Sequence, residues 1–370
     1  MGKHLILVGG GHAHLLTIAN LDKFIARGHR VTVIGPSDDH YYSGMGPGML
    51  CGIYAPEEIR FGTRKTVEKM RGAFVKGMVS GIDPKTKTVF LEPGEPVHYD
   101  VLSINAGSYV PGDTVMDGNA DVFAAKPIEG LLKARHRIME RCAQRNVRVG
   151  VIGGGAAAVE LAGNAWRLLS ANARHGFDIS VFSKNRILES FPEKVRTAAR
   201  RSLQRRGIQL FENSPAAVMK TGEIRLDSGK THEADFIFLA TGVKPSPLFA
   251  KSRMPIGPDG GLLVNRYLQS TGYSEVFGGG DCICFRDRPL EKVGVYAVRQ
   301  NPVLLHNLMA AMDGTSLRSF DPGGSFLLIL NLGDGTGIYY KNGLIFSNRL
   351  AFFIKDYIDR RFMRRFQIHE

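Results

Sequence analysis

The chain has little cysteine and almost no tryptophan: four of the first and one of the second among 370 residues. Cys51, Cys142, Cys282 and Cys284 are scattered, and no two have the C-x-x-C spacing of a dithiol enzyme. A disulfide framework is therefore excluded, and a reducing compartment is expected. Cys282 and Cys284 stand two apart, on one face if they lie in a strand, but no second Cys/His pair at zinc spacing accompanies them, so no metal site is expected. No uninterrupted run of about 18 apolar residues occurs, which excludes a membrane-spanning helix. A secretory leader is not expected, because the apolar residues 5–8 run straight into a glycine turn. A myristoylation signal is excluded too, since Ile6 stands where Ser or Thr is needed. These absences point to a cytoplasmic protein, soluble or peripheral at the inner face of a membrane.

What the chain does have is glycine, 44 residues of it, and a net charge of +13. The charge fits nucleic acid, an anionic membrane surface or anionic cofactors. An internal repeat narrows the choice. "KHLILVGGGHAHLLTIANLDKFIARGHRVTVIG" and "VRVGVIGGGAAAVELAGNAWRLLSANARHGFDISVFS" each combine a β-branched run, a glycine turn, about 20 residues of helical pattern and a second β-branched run. Both read as βαβ units with parallel strands, and Gly11 and Gly155 hold the same place in them. Gly9 and Gly153 permit the tight exit from the strand. Gly11 and Gly155 let the backbone approach a pyrophosphate at the positive end of the following helix. The third glycine of such a turn packs helix on strand; its slot holds His14 in the first unit and Ala158 in the second. His12 and His14, two apart at a helix start, face different directions and do not form a metal pair. His12 is expected beside the phosphates and His14 in the packing.

Further segments follow in order. "YDVLSINAGSYVPG" and "ADFIFLATGVKPSP" are alike, each a buried strand running into a glycine turn, and "SEVFGGGDCICF" is another strand ending in Gly-Gly-Gly-Asp. With both βαβ units, these motifs resemble the FAD-dependent pyridine nucleotide-disulfide oxidoreductases over nearly the full chain. The resemblance implies an α/β fold with two Rossmann-like dinucleotide-binding domains, as in glutathione reductase. An FAD domain would comprise residues 1–112 and 245–320, an NAD(P) domain 113–244 and a small C-terminal region 321–370. FAD would lie on Gly9, Gly10, Gly11 and His12, with Ala106, Gly107, Gly280 and Asp281 around it and Asp281 on the ribityl chain. Thr241 and Gly242 match the second Ala-Thr-Gly strand end. A helix starting near Lys292–Tyr296 would point at the flavin, with the amides of Val295 and Tyr296 on its pyrimidine carbonyl and Lys292 or Lys126 adding positive charge.

The redox cysteine pair of the disulfide reductases is missing. The chain is more similar to the branch of type II NADH dehydrogenases and sulfide:quinone reductases. Within it, "VGGGHAH", "YSGMGPGML", "YAVRQNPVLLHNL" and "FIKDYIDRRFMRRF" resemble the flavoprotein module fused to selenophosphate synthetase. The implied reaction passes a hydride from NAD(P)H to FAD and electrons on to a quinone-like acceptor. The alternatives are sulfide or polysulfide oxidation through Cys282 and Cys284, and a flavin-binding redox sensor on nucleic acid. The last lacks any recognisable nucleic-acid module. By the same resemblance Glu160 lies near the nicotinamide–flavin junction. "YYSGMGPGMLCGIY", with Ser43, would lie beside the flavin and line the acceptor pocket, unless Met45 and Met49 are plain core residues.

In the second unit Gly153, Gly155 and Ala156 would hold the NAD(P) pyrophosphate. The following strand ends in Ser183, Lys184 and Arg186, with no acid until Glu189. An acid there accepts from the 2′-hydroxyl of NADH, whereas cations suit the 2′-phosphate of NADPH, which is the favoured donor. The first unit also lacks its acid: Ser37 follows Gly35-Pro36, and Asp38 or Asp39 would reach the FAD ribose late. After residue 320, "SFLLILNLGDGTGIYYKNGLIFS" reads as two strands and "NRLAFFIKDYIDRRFMRRFQ" as a helix with apolar positions 350, 353, 354, 357 and 358 on one face. That helix is expected either on an anionic lipid surface or docked on its own domain. Lys194–Arg206 reads as a solvated helix face. The oligomeric state stays open, a homodimer included.

Overall fold

Parallel strands buried on both faces need near-continuous apolar runs, and the runs flanking the two glycine turns meet that need. The computed structural model describes residues 2–111, 121–219 and 222–370. The boundary expected between residues 112 and 113 lies outside them. In chain order the strands used below are β1 (His4–Val8), β2 (Arg30–Gly35), β3 (Ala73–Lys76), β4 (Val101–Ile104), β5 (Asp121–Ala124), β6 (Val147–Ile152), β7 (Phe177–Phe182), β8 (Gln209–Phe211), β9 (Phe236–Leu239), β10 (Val276–Gly278), β11 (Leu328–Asn331), β12 (Gly337–Lys341) and β13 (Leu344–Asn348). The helices are α1 (Leu15–Ile18), α2 (Leu21–Ile25), α3 (Glu129–Cys142), α4 (Ala156–Asn172), α5 (Glu193–Gln204), α6 (Gly294–Asp313) and α7 (Arg349–Gln367).

Two five-stranded sheets result, in the orders β10-β4-β1-β2-β3 and β5-β9-β6-β7-β8, and every pairing in them is parallel. β1 and β6 are the central strands, and each ends in a glycine turn. Gly9 adopts φ +87°, and a Cβ on it would lie 2.3 Å from the Asn105 carbonyl oxygen. Gly153 adopts φ +140°, and a Cβ would lie 2.2 Å from that of Ala240. Both positions demand glycine twice over, for conformation and for space.

The helices of the two units differ. The second is continuous over Ala156–Asn172, whereas the first breaks into α1 and α2. Asn20 causes the break: its side-chain amide donates to the Leu16 carbonyl (2.8 Å) and its backbone leaves the helical region. His14, at the start of α1, is fully buried. Its Nδ1 lies 2.7 Å from the Gly9 carbonyl and its Nε2 2.8 Å from the Ser103 hydroxyl. Burial holds the imidazole at a pKa of about 4 against the pull of the Gly9 carbonyl, so the ring is neutral. A carbonyl only accepts, so Nδ1 carries the proton and Nε2 accepts from Ser103. In the slot of the packing glycine, His14 thus ties the turn to β4 as a strut.

The C-terminal region holds three antiparallel strands, β11-β12-β13, where two were expected. The missed turn is Asn342-Gly343, with φ of 49° and 81°, a two-residue hairpin signal. Helix α7 forms as expected, but its faces are reversed. Ala351, Lys355, Asp359, Met363 and Phe366 are buried, while Leu350, Phe353, Tyr357 and Ile358 are 55%, 65%, 55% and 42% exposed. The apolar row therefore does not dock on the parent domain. Helix α5 buries Val195, Ala199 and Leu203, and Arg206 beyond its end turns inward to the Leu332 carbonyl (2.6 Å).

Replacing His14 removes a buried ring and two hydrogen bonds. His14→Ala is expected to destabilise the protein by about 2–4 kcal/mol, and Ser103→Ala by about 1 kcal/mol, read from urea unfolding midpoints.

Candidate active site

The glycine turns open at the carboxyl ends of the two sheets, where open α/β folds bind ligands. A cavity of about 420 Å³ at the first sheet is lined by Gly9, Gly10, Gly11, His12, Ser37, Asp39, His40, Ser43, Thr63, Asn105, Ala106, Gly107, Lys126, Gly280, Asp281 and Gly294, among others. One of about 840 Å³ at the second is lined by Gly153, Gly155, Ala156, Glu160, Ser183, Lys184, Arg186, Thr241, Gly242 and Lys292, among others. Ser43, Lys126, Ile128 and Gly294 belong to both linings, so the two cavities share a wall.

Most of the expected residues are thus brought together, and two are not. Val295 and Tyr296 line neither cavity. Helix α6 starts at Gly294, so Gly294 and Ala297, one turn apart, face the first cavity. Tyr296 packs on Phe326 and Arg299 instead, and its amide is spent on the Val293 carbonyl. Lys292 reaches the second cavity, but its ammonium is tied to Asp259 (2.6 Å) and the Ile283 carbonyl. Asp38 is held by Arg64 and Lys76, while Asp39, paired with Arg60 at 3.1 Å, is the one on the cavity wall. Met45 and Met49 are fully buried core residues.

The first cavity fits a dinucleotide. Gly10 stands against Thr63, with 2.6 Å between an added Cβ and the Thr63 methyl, so the cradle is lined by bare backbone. His12 Nε2 and Asn105 Nδ2 are buried without a protein partner, and both residues line this cavity. Opposite them, Asp281 accepts from Lys126 Nζ (2.6 Å) and the Ser108 hydroxyl (2.8 Å). Burial raises the Asp281 pKa, but these two partners outweigh it and hold the carboxyl below its usual range. Its acceptor capacity is therefore available at neutral pH for a hydroxylated chain. His12 is neutral, pushed down to about 3 by burial, then by His40 and Lys126. It sits in an aromatic cluster with His40, Tyr42 and Phe61, and Phe362 of α7 stacks on it at 6.0 Å. Its neighbours His40 and Phe362 gave no signal in the sequence, because the strand and helix that carry them meet only in the fold.

Glu160, on the wall of the second cavity, neighbours a buried ionic cluster. Glu160 Oε1 accepts from the Asn331 amide of β11 (2.7 Å). Burial raises its pKa to about 7, with Lys355 and the Asn331 amide pulling down and Asp359 pushing up. Lys355 Nζ donates to Asp359 (2.6 Å) and to the Gly44 carbonyl (2.8 Å), and the Tyr42 hydroxyl donates to Asp359 (3.0 Å). Lys355 stays charged: burial works against its proton, but Asp359 and Glu160 raise its pKa overall. Lys355 and Asp359, four apart on α7, are the buried charged side chains the sequence reading missed. Their i,i+4 spacing was visible, yet it is the ordinary spacing of a surface pair.

The cysteines offer no redox centre. All four are free. Cys282 belongs to the turn Gly280–Cys282 rather than to a strand, so it does not share a face with Cys284. Burial pushes its thiol up to about 12, and it also pushes up that of Cys284. Neither is a thiolate at neutral pH, which removes the support for sulfide oxidation through this pair. Among the described residues no His/Cys/Asp/Glu cluster could hold a metal.

A model of the pyridine nucleotide-disulphide oxidoreductases matches residues 3–309. Ferroptosis suppressor protein 1 of Taeniopygia guttata is 28% identical over 73% of this chain and 72% of its own length. A type II NADH:quinone oxidoreductase of Staphylococcus saprophyticus is 26% identical over 97% of this chain and 94% of its own. Among solved structures, NDH2 of Plasmodium falciparum in complex with NADH superposes with a TM-score of 0.81, at 14% identity, over all of this chain and 97% of that one. With two parallel sheets, two glycine turns and two cavities that share a wall, the chain belongs to the pyridine nucleotide-disulphide oxidoreductase family.

Proposed function

We propose that the protein is an FAD-dependent NAD(P)H dehydrogenase that delivers electrons to a quinone-class acceptor. The observation that carries this reading is the wall common to the two cavities, at Ser43, Lys126, Ile128 and Gly294. A dinucleotide in each would meet its neighbour there, with no disulfide between them. The names of the relatives, with their quinone and NADH, support the same choice. Bound FAD supplies the chemistry of accepting a hydride and releasing two electrons.

The chain's own residues do the rest. The backbone at Gly9–Gly11 approaches the pyrophosphate of one dinucleotide, and Gly153–Ala156 that of the other. Asp281 accepts from the ribityl hydroxyls and keeps Lys126 fixed on the shared wall. Lys126 places a positive charge where negative charge accumulates during transfer. Reducing a quinone to a quinol takes two electrons and two protons; the hydride brings one proton and Glu160 holds another. With a pKa of about 7 that carboxyl is protonated in part at neutral pH and can give its proton up.

The face of α7 that the fold turns outward fits the same acceptor. Leu350, Phe353, Tyr357 and Ile358 stand out from the surface beside exposed Arg361, Arg364 and Arg365. Apolar and basic side chains on one helix suit an anionic lipid surface, in which a quinone dissolves. Among the described residues no helix is long and apolar enough to cross a membrane.

Anaerobic addition of NADH or NADPH to the FAD-loaded protein is expected to bleach the flavin band, and a soluble quinone to restore it; failure of both donors overturns the reading. The pH profile of quinone reduction is expected to show an ionisation near 7 that Glu160→Gln abolishes. Lys355→Met removes the cation that holds the carboxyl down, so it moves that ionisation upward. In co-sedimentation the protein is expected on anionic vesicles in preference to neutral ones. Phe353→Asp with Tyr357→Asp lowers that binding about tenfold or more, and unchanged binding refutes a lipid role for α7.

A further inference from the structure

We infer that the last turns of α7 act as a clasp on the first cavity, and that Gln367 and Glu370 are positioning residues that set how tightly its cofactor is held. The inference rests on reading that cavity as the flavin site. Gln367 and Glu370 line neither cavity themselves and act through the segment 54–63.

That segment supports the cavity wall at two places. Its residues Arg60–Phe61 pair antiparallel with His40–Tyr41, and both His40 and Tyr41 line the cavity. Gly62 then leads into the short helix Thr63–Lys69, whose first residue lines the cavity against Gly10 of the glycine turn. The segment has little regular structure of its own, one turn at Pro56–Ile59 and the two paired residues. Its place is therefore set by what packs on it.

Helix α7 fastens the segment from end to end. Arg360 pairs with Glu58 (2.5 Å) and lies over the Tyr54 ring at 5.1 Å. Phe362 and Phe366 meet the Phe61 ring edge to face, at 6.1 and 6.2 Å. Gln367 spans two carbonyls, donating from Nε2 to Arg60 (2.9 Å) and to Glu57 (3.1 Å). Glu370 closes the row: its Oε1 accepts from the Gly62 amide (2.8 Å), a charge-assisted bond immediately before Thr63. Met363, Phe366, Gln367 and Glu370 stand three and four apart, so one face of the helix presents them together. A segment with few internal bonds opens readily. Each bond from α7 opposes the movement of Thr63 away from Gly10, and FAD leaves the cavity by moving that wall. By linkage, a cofactor that needs the wall in place also holds α7 down.

The test is the rate at which FAD leaves the loaded protein on dilution, read from the rise in free-flavin fluorescence. Gln367→Ala combined with Glu370→Ala is expected to speed release about tenfold or more. Glu370→Gln keeps an acceptor for the Gly62 amide and should stay within about threefold of the wild type. Arg200→Ala breaks the pair with Glu212 in the second unit, away from the clasp, and should leave release unchanged. A double variant that releases FAD no faster than the wild type or Arg200→Ala overturns the inference. Hydrogen exchange in the wild type gives an independent reading. On FAD loading, the amides of 54–63 and 360–370 should gain protection together; protection confined to the glycine turn refutes the clasp. A protein that takes up no FAD loses the flavin reading itself. One that holds FAD, with a release rate indifferent to these substitutions, loses only the clasp.

Discussion

The approach of a glycine to the end of the neighbouring strand is the constraint on which the rest of the structure depends. It is made twice, by Gly9 on the Asn105 carbonyl and by Gly153 on that of Ala240. Each contact holds a central strand, a helix start and the next strand end in one place. Only a residue without Cβ can do this at positive φ. Once the two contacts exist, backbone at the sheet ends is bare, and bare backbone is what a pyrophosphate needs. His14 strengthens one of them by bonding the Gly9 carbonyl from below and Ser103 from the side. The second unit has no such brace; its slot holds the small, fully buried Ala158.

The C-terminal region completes the site rather than decorating it. Strand β11 gives its Asn331 amide to Glu160, and α7 sends Lys355 to the Gly44 carbonyl and Asp359, near enough to Glu160 for their charges to interact. Buried charges persist only when paired and hydrogen-bonded. Lys355 satisfies Asp359 and the Gly44 carbonyl directly, which anchors α7, and it acts on Glu160 through space. Because the face that carries Lys355 and Asp359, with Ala351, Met363 and Phe366, is turned inward, the row of Leu350, Phe353, Tyr357 and Ile358 is left outside. The same region thus gives the Glu160 carboxyl its backbone partner and leaves an apolar row of α7 on the surface. Phe362, stacked on His12, carries the same helix to the edge of the first cavity.

Much of the first level was legible from the chain. Glycine turns after apolar runs, repeated with the same spacing, define two parallel βαβ units because local sterics and burial act over a few residues. Asp281, after its Gly-Gly-Gly, lines the first cavity in contact with Lys126. The break at Asn20 and the hairpin at Asn342-Gly343 were also local, and were missed only because helical pattern and strand pattern were read across them.

The sequence by itself determined the strands and glycine turns of the two βαβ units and the absence of a cysteine pair with redox spacing, since each follows from neighbours in the chain. Only the tertiary structure decided which face of α7 is buried, which residues share the wall between the cavities, and that His12 and Asn105 leave polar atoms facing the first of them. An amphipathic pattern predicts burial of the apolar face only when no buried charge claims the other. Here the Gly44 carbonyl and the Tyr42 hydroxyl, some three hundred residues from Lys355 and Asp359 in the chain, made that claim, and no periodicity in α7 records partners so distant.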